Sequence, residues 1–254
     1  MANQGNQRLI ALQGVCQYFS RGAEANRTDW HMRAIVIPVK DPANSKTRLA
    51  RSLGPEARRE LAAAMFADVS RALGGVQRAD QIFVVTSHCE ACEQAKQLGF
   101  EFLLEHSQHS ESASVDWASR ELEILGYDEV MRLPADIPLV TAEDIDKLLE
   151  VDAGRPGALM VPSRDGRGTN AIIRTPPTLF PSRFGPDSLR LHSSEADKLG
   201  IKPVIVSNER IALDIDEPAD LAEILQSGRG TETYRFLCES GIAQALISTG
   251  RDAK

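Results

Sequence analysis

Short apolar runs alternate with longer amphipathic stretches along the chain from Met32 onward. The runs are rich in Ile, Val and Leu and predict buried strands, because β-branched side chains favour extended backbone. The stretches between them repeat their apolar residues at helical spacing, which predicts helices that bury one face. The predicted strands are residues 33–40, 81–86, 100–104, 129–133, 158–161, 171–174, 203–206 and 211–215. The predicted helices are residues 56–73, 90–98, 112–125, 142–150, 189–199, 217–226 and 233–246.

Two helices carry specific boundary signals. Pro55 suits the first turn of the helix that follows it, and Gly74-Gly75 suits its end. Thr141 with Asp144 predicts a capped start for the helix over residues 142–150. Alternating strands and helices predict an α/β fold with a mostly parallel sheet and helices on both faces. Because ligands of such sheets bind beyond the carboxyl ends of the strands, the polar residues that follow the strands are the candidates for chemistry.

The first 31 residues differ from the rest of the chain. They are rich in Gln, Asn and Arg and show no clear period. We therefore predict that residues 1–31 are a mobile N-terminal extension, or precede the natural start, and that residues 32–254 form one domain. The intact mass of the native protein tests this prediction.

Composition and charge narrow the class of protein. The chain has 254 residues, 42% of them hydrophobic, and 29 basic against 36 acidic residues give a net charge of −7. These values are typical of a globular protein, and the acidic balance argues against a nucleic-acid partner. The sequence shows no apolar run of about 18 residues and no secretory signal, so we expect no membrane association. Four cysteines are too few for a disulfide framework, which predicts a cytoplasmic protein.

Three cations follow the first predicted strand. Lys40, Lys46 and Arg48 lie within nine positions on a predicted loop at the ligand-binding edge of the sheet. Such a cluster can neutralise a polyphosphate and the charge that develops when it is split. A solvated basic loop explains the spacing equally well. The loop lacks the glycines of a Walker A motif.

Three carboxylates lie in or just after later predicted strands. Asp136 is framed by Pro134 and Pro138 after the strand over residues 129–133, while Asp214 and Asp216 lie two positions apart in a later segment. In an extended chain, residues two apart share a face, and two such carboxylates repel unless a cation lies between them. The three carboxylates predict a Mg²⁺ site. The alternatives are that Asp136 caps a turn and that Asp216 caps the following helix.

Two loops offer hydrogen bonds to a ligand. Residues 165–170 form a Gly-rich turn between two predicted strands, where Thr169 and Asn170 offer polar groups; a simple hairpin turn is the alternative. Residues 184–188 lead into a predicted helix whose free amides, with the Ser188 hydroxyl, suit a phosphate or carboxylate. Asp187 must point away for an anion to bind there.

Five motifs in order resemble those of a known family. They are Pro38-Val39-Lys40 with Lys46-Thr47-Arg48-Leu49-Ala50, Pro134-Ala135-Asp136-Ile137-Pro138, Asp165-Gly166-x-Gly168-Thr169-Asn170, Phe184-Gly185-Pro186-x-Ser188 with His192 and Ala196, and Leu213-Asp214-Ile215-Asp216-x-Pro218-x-Asp220-Leu221. Residues 32–225 resemble the guanylyltransferases of coenzyme F-420 biosynthesis, which act on 2-phospho-L-lactate, phosphoenolpyruvate or 3-phospho-D-glycerate. The resemblance implies a single-domain, Rossmann-like nucleotidyltransferase fold of the GT-A-like class. It also implies that GTP reacts with a three-carbon phosphorylated acid and that pyrophosphate leaves.

The resemblance implies roles for individual residues. The implied Mg²⁺ ligands are Asp136, Asp214 and Asp216. The residues implied to contact the acid are Thr169, Gly185 and Ser188, to which we add Asn170 from its place in the Gly-rich turn. We assign Lys40, Lys46 and Arg48 to the GTP triphosphate on electrostatic grounds.

One segment departs from the family pattern. Family members carry a Gly- and Asn-containing stretch before the helix that here begins near Ser112, whereas this chain has Ser and His residues over positions 107–116. This segment lies near the nucleotide in related folds, so the base preference and the acid stay open. Ser112 and Ser114 are candidates for hydrogen bonds there.

Weaker signals leave alternatives. His88-Cys89-x-x-Cys92 is typical of a helix start with incidental thiols, since no second ligand pair accompanies it. The helix over residues 233–246 suits packing or a homodimer contact. The rival functions are a molybdenum-cofactor guanylyltransferase or sugar-phosphate cytidylyltransferase, which carry a Gly-rich first loop, and a nucleotide-binding protein without catalysis.

Overall fold

The structure, a computed structural model, describes residues 31–40 and 46–244. The predicted N-terminal extension therefore lies, apart from His31, outside the described residues, and its mobility stays a prediction.

One mixed sheet forms the centre of the described molecule. Its seven strands are β1 Arg33–Pro38, β2 Gln81–Thr86, β3 Glu101–Leu104, β4 Glu129–Arg132, β5 Gly157–Pro162, β6 Thr169–Thr175 and β7 Val204–Ile205. They lie in the order β3-β2-β1-β4-β6-β5-β7. Strand β1 is parallel to β2 and β4, β2 to β3, and β5 to β7, while β6 is antiparallel to both of its neighbours. The predicted mostly parallel sheet is confirmed.

Helices flank this sheet. They are α1 Pro55–Leu73, α2 Cys89–Gln97, α3 Glu111–Ile124, α4 Ala142–Glu150, α5 Ser188–Asp197, α6 Glu209–Ala212, α7 Pro218–Ser227 and α8 Glu232–Glu239, with a 3-10 helix over Thr47–Arg51. Pro55 begins α1, and Thr141 and Asp144 form a capping box on α4, as predicted. Within the described ranges, no helix combines the length and apolar character that a membrane crossing requires.

The two faces of β1 explain why helices lie on both sides. Ile35 and Ile37 pack into a cluster that includes α1 and α4, whereas Ala34 and Val36 pack into a second cluster with α3. All four side chains are at most 1% exposed. The period of two in a strand therefore distributes one apolar run between two cores.

A third core cluster brings the loop after β1 to a distant part of the chain. Leu49, in the 3-10 helix, is fully buried together with Leu61 of α1, Leu213, Ile215 and Leu221. Because Leu49 is buried here, Lys46 and Arg48 just before it are held near this cluster. Burial of Leu213 and Ile215 likewise holds Asp214 and Asp216, which alternate with them. The hydrophobic effect thus assembles the charged residues of the site from segments far apart in sequence.

The predicted strand over residues 211–215 is wrong. The chain forms the short helix α6 and then an irregular segment. The side chain of Asn208 starts the helix, because its Oδ1 accepts hydrogen bonds from the amides of Arg210 and Ile211 at 3.1 and 3.0 Å. Ile211, Leu213 and Ile215 are still buried alternately, so the pattern reflected burial and not a ladder of strand hydrogen bonds.

Two further boundaries differ from prediction. The strand over residues 203–206 is reduced to Val204–Ile205, and the last helix does not run without a break from residue 233 to 246. Helix α8 ends at Glu239, since Gly241 adopts a φ of 76°, which a helix interior does not allow. The end of the predicted helix, beyond residue 244, lies outside the described residues.

Candidate active site

Lys46 joins two carboxylates from remote segments. Its Nζ lies 2.5 Å from Asp136 Oδ2 and 3.0 Å from Asp216 Oδ1. Arg48 Nη1 lies 3.1 Å from the other oxygen of Asp216. The side chain of Lys46 is 8% exposed, and its two carboxylate partners raise its pKa despite burial. Sequence positions 46, 136 and 216 therefore meet at one point, as the sequence predicted for the two carboxylates.

The backbone fixes how Asp136 meets the later acidic segment. The amide of Ile215 donates to the carbonyl oxygen of Asp136 at 3.1 Å, which ties the loop after β4 to the segment between Asp214 and Asp216. Burial acts to raise the pKa of the Asp136 carboxyl, but the ammonium of Lys46 outweighs burial and lowers it. Asp136 Oδ1 is buried and has no hydrogen-bond partner among the described residues.

Asp214 lies beside these groups in a different environment. Burial raises the pKa of its carboxyl, and the nearby carboxylates of Asp136 and Asp216 raise it further. The amide of Asn170 donates to Asp214 Oδ1 at 3.1 Å and to the carbonyls of Ile211 and Ala212 at 2.9 and 3.0 Å. The side-chain amide of Asn170 therefore stabilises the segment of Asp214. Its predicted contact with substrate stays a prediction.

The alternative role of Asp216 as a helix cap is not what the structure shows. The cap of α7 is Glu217, which forms a capping box with Asp220. Asp216 instead directs its carboxylate to Lys46 and Arg48. Its position is thus explained by charge and not by the helix start.

The three carboxylates suit a hard divalent cation. In the described part of the chain no three His, Cys, Asp or Glu side chains lie close enough to enclose an ion as they stand. However, the oxygens of Asp136 and Asp216 that share Lys46 Nζ, at 2.5 and 3.0 Å, are at most 5.5 Å apart. With the unpartnered Oδ1 of Asp136 beside them, this all-oxygen set has the donor chemistry that hard divalent cations prefer.

The predicted anion-binding loops lie together on the other side of these carboxylates. In the turn before β6, a Cβ on Gly168 would lie 2.5 Å from Ser163 Oγ, so glycine is required there. Gly185 has a φ of 125°, a conformation that side chains rarely adopt. Ser188 begins α5, and Asp187 before it is paired with Arg167 at 2.8 Å. This ion pair neutralises the carboxylate that would repel an anion.

Two cavities meet at the carboxylates. The larger, of about 600 Å³, is lined by all four predicted substrate-binding residues, and the smaller is of about 410 Å³. The charged residues that line both cavities are Lys40, Arg48, Glu111, Arg132, Asp136 and Asp216. Each cavity is in the size range of small-molecule sites. The arrangement allows two ligands to approach one charged junction.

Sequence reasoning missed Arg132 and Glu111 at this junction. Arg132, at the end of β4, is 6% exposed; its Nη1 donates to the carbonyl of Asn170 at 3.0 Å, and its Nη2 donates to Glu111. Its guanidinium stacks on the ring of Phe184 at 4.4 Å, and Lys40 lies 3.5 Å from Glu111. A lone arginine at the end of an apolar run was the available signal.

The divergent segment over residues 107–116, which runs into α3, is held by hydrogen bonds to other parts of the protein. Ser112 Oγ accepts from the amide of Phe184 at 2.8 Å, and Ser114 Oγ donates to the Glu105 carboxylate at 2.8 and 2.9 Å. Both hydroxyls thus organise the protein, and their contact with a nucleotide stays a prediction. The two cysteines of the His88-Cys89-x-x-Cys92 motif lie in the first turns of α2, where Cys89 is exposed and Cys92 is buried.

Comparison with known proteins gives a consistent family. Residues 32–252 match the model of the family described as "Guanylyl transferase CofC like". The chain is 34% identical over 193 residues to the phosphoenolpyruvate guanylyltransferase of Rubrobacter xylanophilus, which covers 76% of this chain and 93% of that protein. It is 32% identical over 202 residues to the 2-phospho-L-lactate guanylyltransferase of Methanothermobacter thermautotrophicus, covering 80% and 88%.

A solved structure agrees on the fold. A protein from Desulfovibrio desulfuricans G20, assigned as a nucleotide-diphospho-sugar transferase, superposes with a TM-score of 0.70 at 21% identity, covering 87% of this chain and 98% of that one. The resemblance read from the five motifs is confirmed, as is the nucleotidyltransferase-like α/β fold, whereas a protein without catalysis and the rival transferases are not favoured. The chain belongs to the CofC-like guanylyl transferase family and is a nucleotidyltransferase.

Proposed function

We propose that this enzyme transfers the guanylyl group of GTP to the phosphate of a three-carbon phosphorylated acid and releases pyrophosphate, in coenzyme F-420 biosynthesis. The relatives are named for transfer to phosphoenolpyruvate and to 2-phospho-L-lactate. The observation that carries the proposal is the pair of cavities that share one charged junction, formed by the cations Lys40, Arg48 and Arg132 and the carboxylates Glu111, Asp136 and Asp216. Two polyanionic substrates require such a junction, because each must be neutralised before they can approach one another.

The smaller cavity suits the nucleotide. Val39, Ala62, Met65 and Phe66 give it apolar walls that can hold a planar base, while Lys46 and the junction cations lie at its polar end. We assign Lys40, Lys46 and Arg48 to the triphosphate. In the free chain Lys46 and Arg48 are paired with carboxylates, so phosphate oxygens would replace carboxylate oxygens as their partners.

The larger cavity suits the phosphorylated acid. Thr169 and Ser188 offer hydroxyls, and Gly185 offers a close backbone approach. Asn170 supports this wall through Asp214 and the carbonyls of α6. Arg132 contacts both the carbonyl of Asn170 and the ring of Phe184, so it fixes the position of the Gly-rich turn relative to the loop that carries Gly185.

Asp136, Asp214 and Asp216 would hold Mg²⁺ at the junction. A bound Mg²⁺ supplies charge neutralisation for phosphate oxygens during phosphoryl transfer. Two features support this assignment: Oδ1 of Asp136 has no hydrogen-bond partner among the described residues, and burial beside two other carboxylates raises the pKa of Asp214.

The chemistry needs positioning more than proton transfer. An oxygen of the acid's phosphate attacks the α-phosphorus of GTP and forms a new P–O–P bond. The bond from the α-phosphorus to the oxygen bridging to the β-phosphorus breaks, and pyrophosphate leaves with the electron pair. The attacking phosphate is already ionised at neutral pH, so no general base is required. Lys46 and Arg48 stabilise the charge that accumulates on the leaving pyrophosphate.

A substrate panel tests the proposal. Pyrophosphate release is measured with Mg²⁺ and each of GTP, ATP, CTP and UTP, crossed with phospholactate, phosphoenolpyruvate, 3-phosphoglycerate, a sugar phosphate and no acceptor. We expect release only when GTP is present together with one of the acids. Release with a sugar phosphate, or with no acceptor, would contradict it.

A cytoplasmic location and a homodimer remain predictions. Sedimentation of the full chain tests the homodimer.

A further inference from the structure

A buried histidine contacts the wall of the larger cavity. His192, in α5, is fully buried, and its Nδ1 lies 3.0 Å from Thr169 Oγ1. Its other ring nitrogen, Nε2, accepts a hydrogen bond of 2.7 Å from the backbone amide of Arg183. The ring also contacts the edge of Phe184, with centroids 4.9 Å apart. One side chain therefore joins Thr169 to the loop that carries Gly185.

The backbone decides which ring nitrogen carries the proton. An amide N–H can only donate, so Nε2 of His192 must present its lone pair to Arg183. In a neutral imidazole the proton then resides on Nδ1. It follows that His192 donates to Thr169 Oγ1, and that the hydroxyl oxygen of Thr169 is the acceptor.

The surroundings keep this imidazole neutral. Burial lowers the pKa of His192 to about 3, and the guanidinium groups of Arg174, Arg132 and Arg183 contribute in the same direction against Asp116. A doubly protonated ring could not accept from the Arg183 amide. The direction of both hydrogen bonds is therefore fixed as long as the ring stays neutral.

The direction of the hydrogen bond between His192 and Thr169 decides what the Thr169 hydroxyl can offer to a ligand in the larger cavity. Among the described residues, the Thr169 hydroxyl has no hydrogen bond other than the one with His192, so its own proton has no acceptor within that part of the chain. We propose that His192 is a positioning residue that makes the Thr169 hydroxyl a donor toward the anionic acid substrate. This inference rests on the proposed function, because it requires the acid to occupy the larger cavity.

Two variants separate the halves of the interaction. In His192→Asn the side-chain amide can take the place of Nδ1 and still donate to Thr169, but it does not reach Arg183. In His192→Gln the amide oxygen can take the place of Nε2 and accept from Arg183, but donation to Thr169 is lost. Thr169→Ser and Thr169→Val form the matched pair that keeps or removes the hydroxyl.

Steady-state kinetics give the first readout. We expect His192→Gln and Thr169→Val each to raise the KM for the acid about tenfold with little change in the KM for GTP, since a hydrogen bond to a charged group is lost. His192→Asn and Thr169→Ser should stay within a few-fold of the parent. The double variant His192→Gln with Thr169→Val should be no worse than either single one. The proposal would be overturned if the variants raised the KM for the acid and the KM for GTP equally, and if the two single effects added in the double variant.

The tautomer gives a readout that needs no substrate. Long-range ¹H–¹⁵N spectra of the full chain, with the His192 signals identified by their loss in His192→Asn, should show a protonated Nδ1 and an unprotonated Nε2 from pH 8 to pH 5. A protonated Nε2 would overturn the inference even if the enzyme is active. If the tautomer is as stated but no acid supports pyrophosphate release, the proposed function fails and not the hydrogen-bond direction.

Discussion

Lys46 Nζ lies 2.5 Å from Asp136 Oδ2 and occupies the space between the carboxylates of Asp136 and Asp216. A divalent cation in the same site would take the same oxygens. Lys46 is therefore a counter-ion of the free carboxylates, and the triphosphate of GTP offers its ammonium another partner.

Lys46→Gln should separate binding of metal from catalysis. Without the competing ammonium, the affinity for Mn²⁺ in the absence of GTP should rise about tenfold, while turnover should fall about a hundredfold because a cation on the leaving group is lost. Mn²⁺ binding is measured by electron paramagnetic resonance. Lys147→Gln, at an exposed pair on α4, is the control and should change neither quantity. Unaltered Mn²⁺ affinity in Lys46→Gln would refute the competition, provided that Asp136→Asn abolishes binding.

Asp214→Asn should lose activity without losing stability. The pKa of Asp214 is raised, so its ionised form is unfavourable in the folded chain at neutral pH, and asparagine removes that cost. The Asn170 amide can still donate to the new side chain. Turnover should fall about a hundredfold or more, and the urea midpoint should stay equal or rise. Unchanged pyrophosphate release in this variant would disprove its role as a metal ligand.

His192 should make stability depend on pH. Its pKa is about 3 in the folded protein against 6.5 for a free side chain, so the unfolded chain binds a proton that the folded chain excludes. The stability that depends on the neutral ring is full above pH 6.5 and is lost as the pH falls toward 3, by up to about 5 kcal/mol. Urea unfolding at pH 7 and pH 4.5 should show a larger fall in the parent than in His192→Asn. Parallel falls in both proteins would contradict the burial of a neutral ring.

Asp144 should hold α6, and with it the segment of Asp214. Its carboxylate, 2% exposed, accepts two hydrogen bonds from Arg210 and caps α4 through Thr141, which lower its pKa. Asp144→Asn should lower the free energy of unfolding by about 3 kcal/mol, because a buried carboxylate loses its charge-assisted hydrogen bonds with the half-exposed Arg210. Glu143→Gln, which breaks an exposed pair with Lys147 on the same helix, should cost less than about 0.5 kcal/mol.

The sequence was informative where local signals and burial agree. The α/β order and the Pro55 and Thr141 helix starts follow from periodicity and local capping signals. The meeting of Asp136 with Asp216 follows from the end of β4 and from the alternate burial of Leu213 and Ile215. The strand over residues 211–215 was wrong because alternate burial does not require a ladder partner, and the Asn208 cap favoured a helix. The pairing of Arg132 with Glu111 could not be predicted, since it depends on where the start of α3 lies relative to the end of β4.

The bond that the enzyme makes is the decisive observable. ³¹P NMR of GTP, Mg²⁺ and the preferred acid should show two coupled diphosphate signals that join GMP to the phosphate of the acid, together with an equal amount of pyrophosphate. Formation of GMP or GDP with no coupled signal from the acid would show that the two cavities do not serve one transfer reaction.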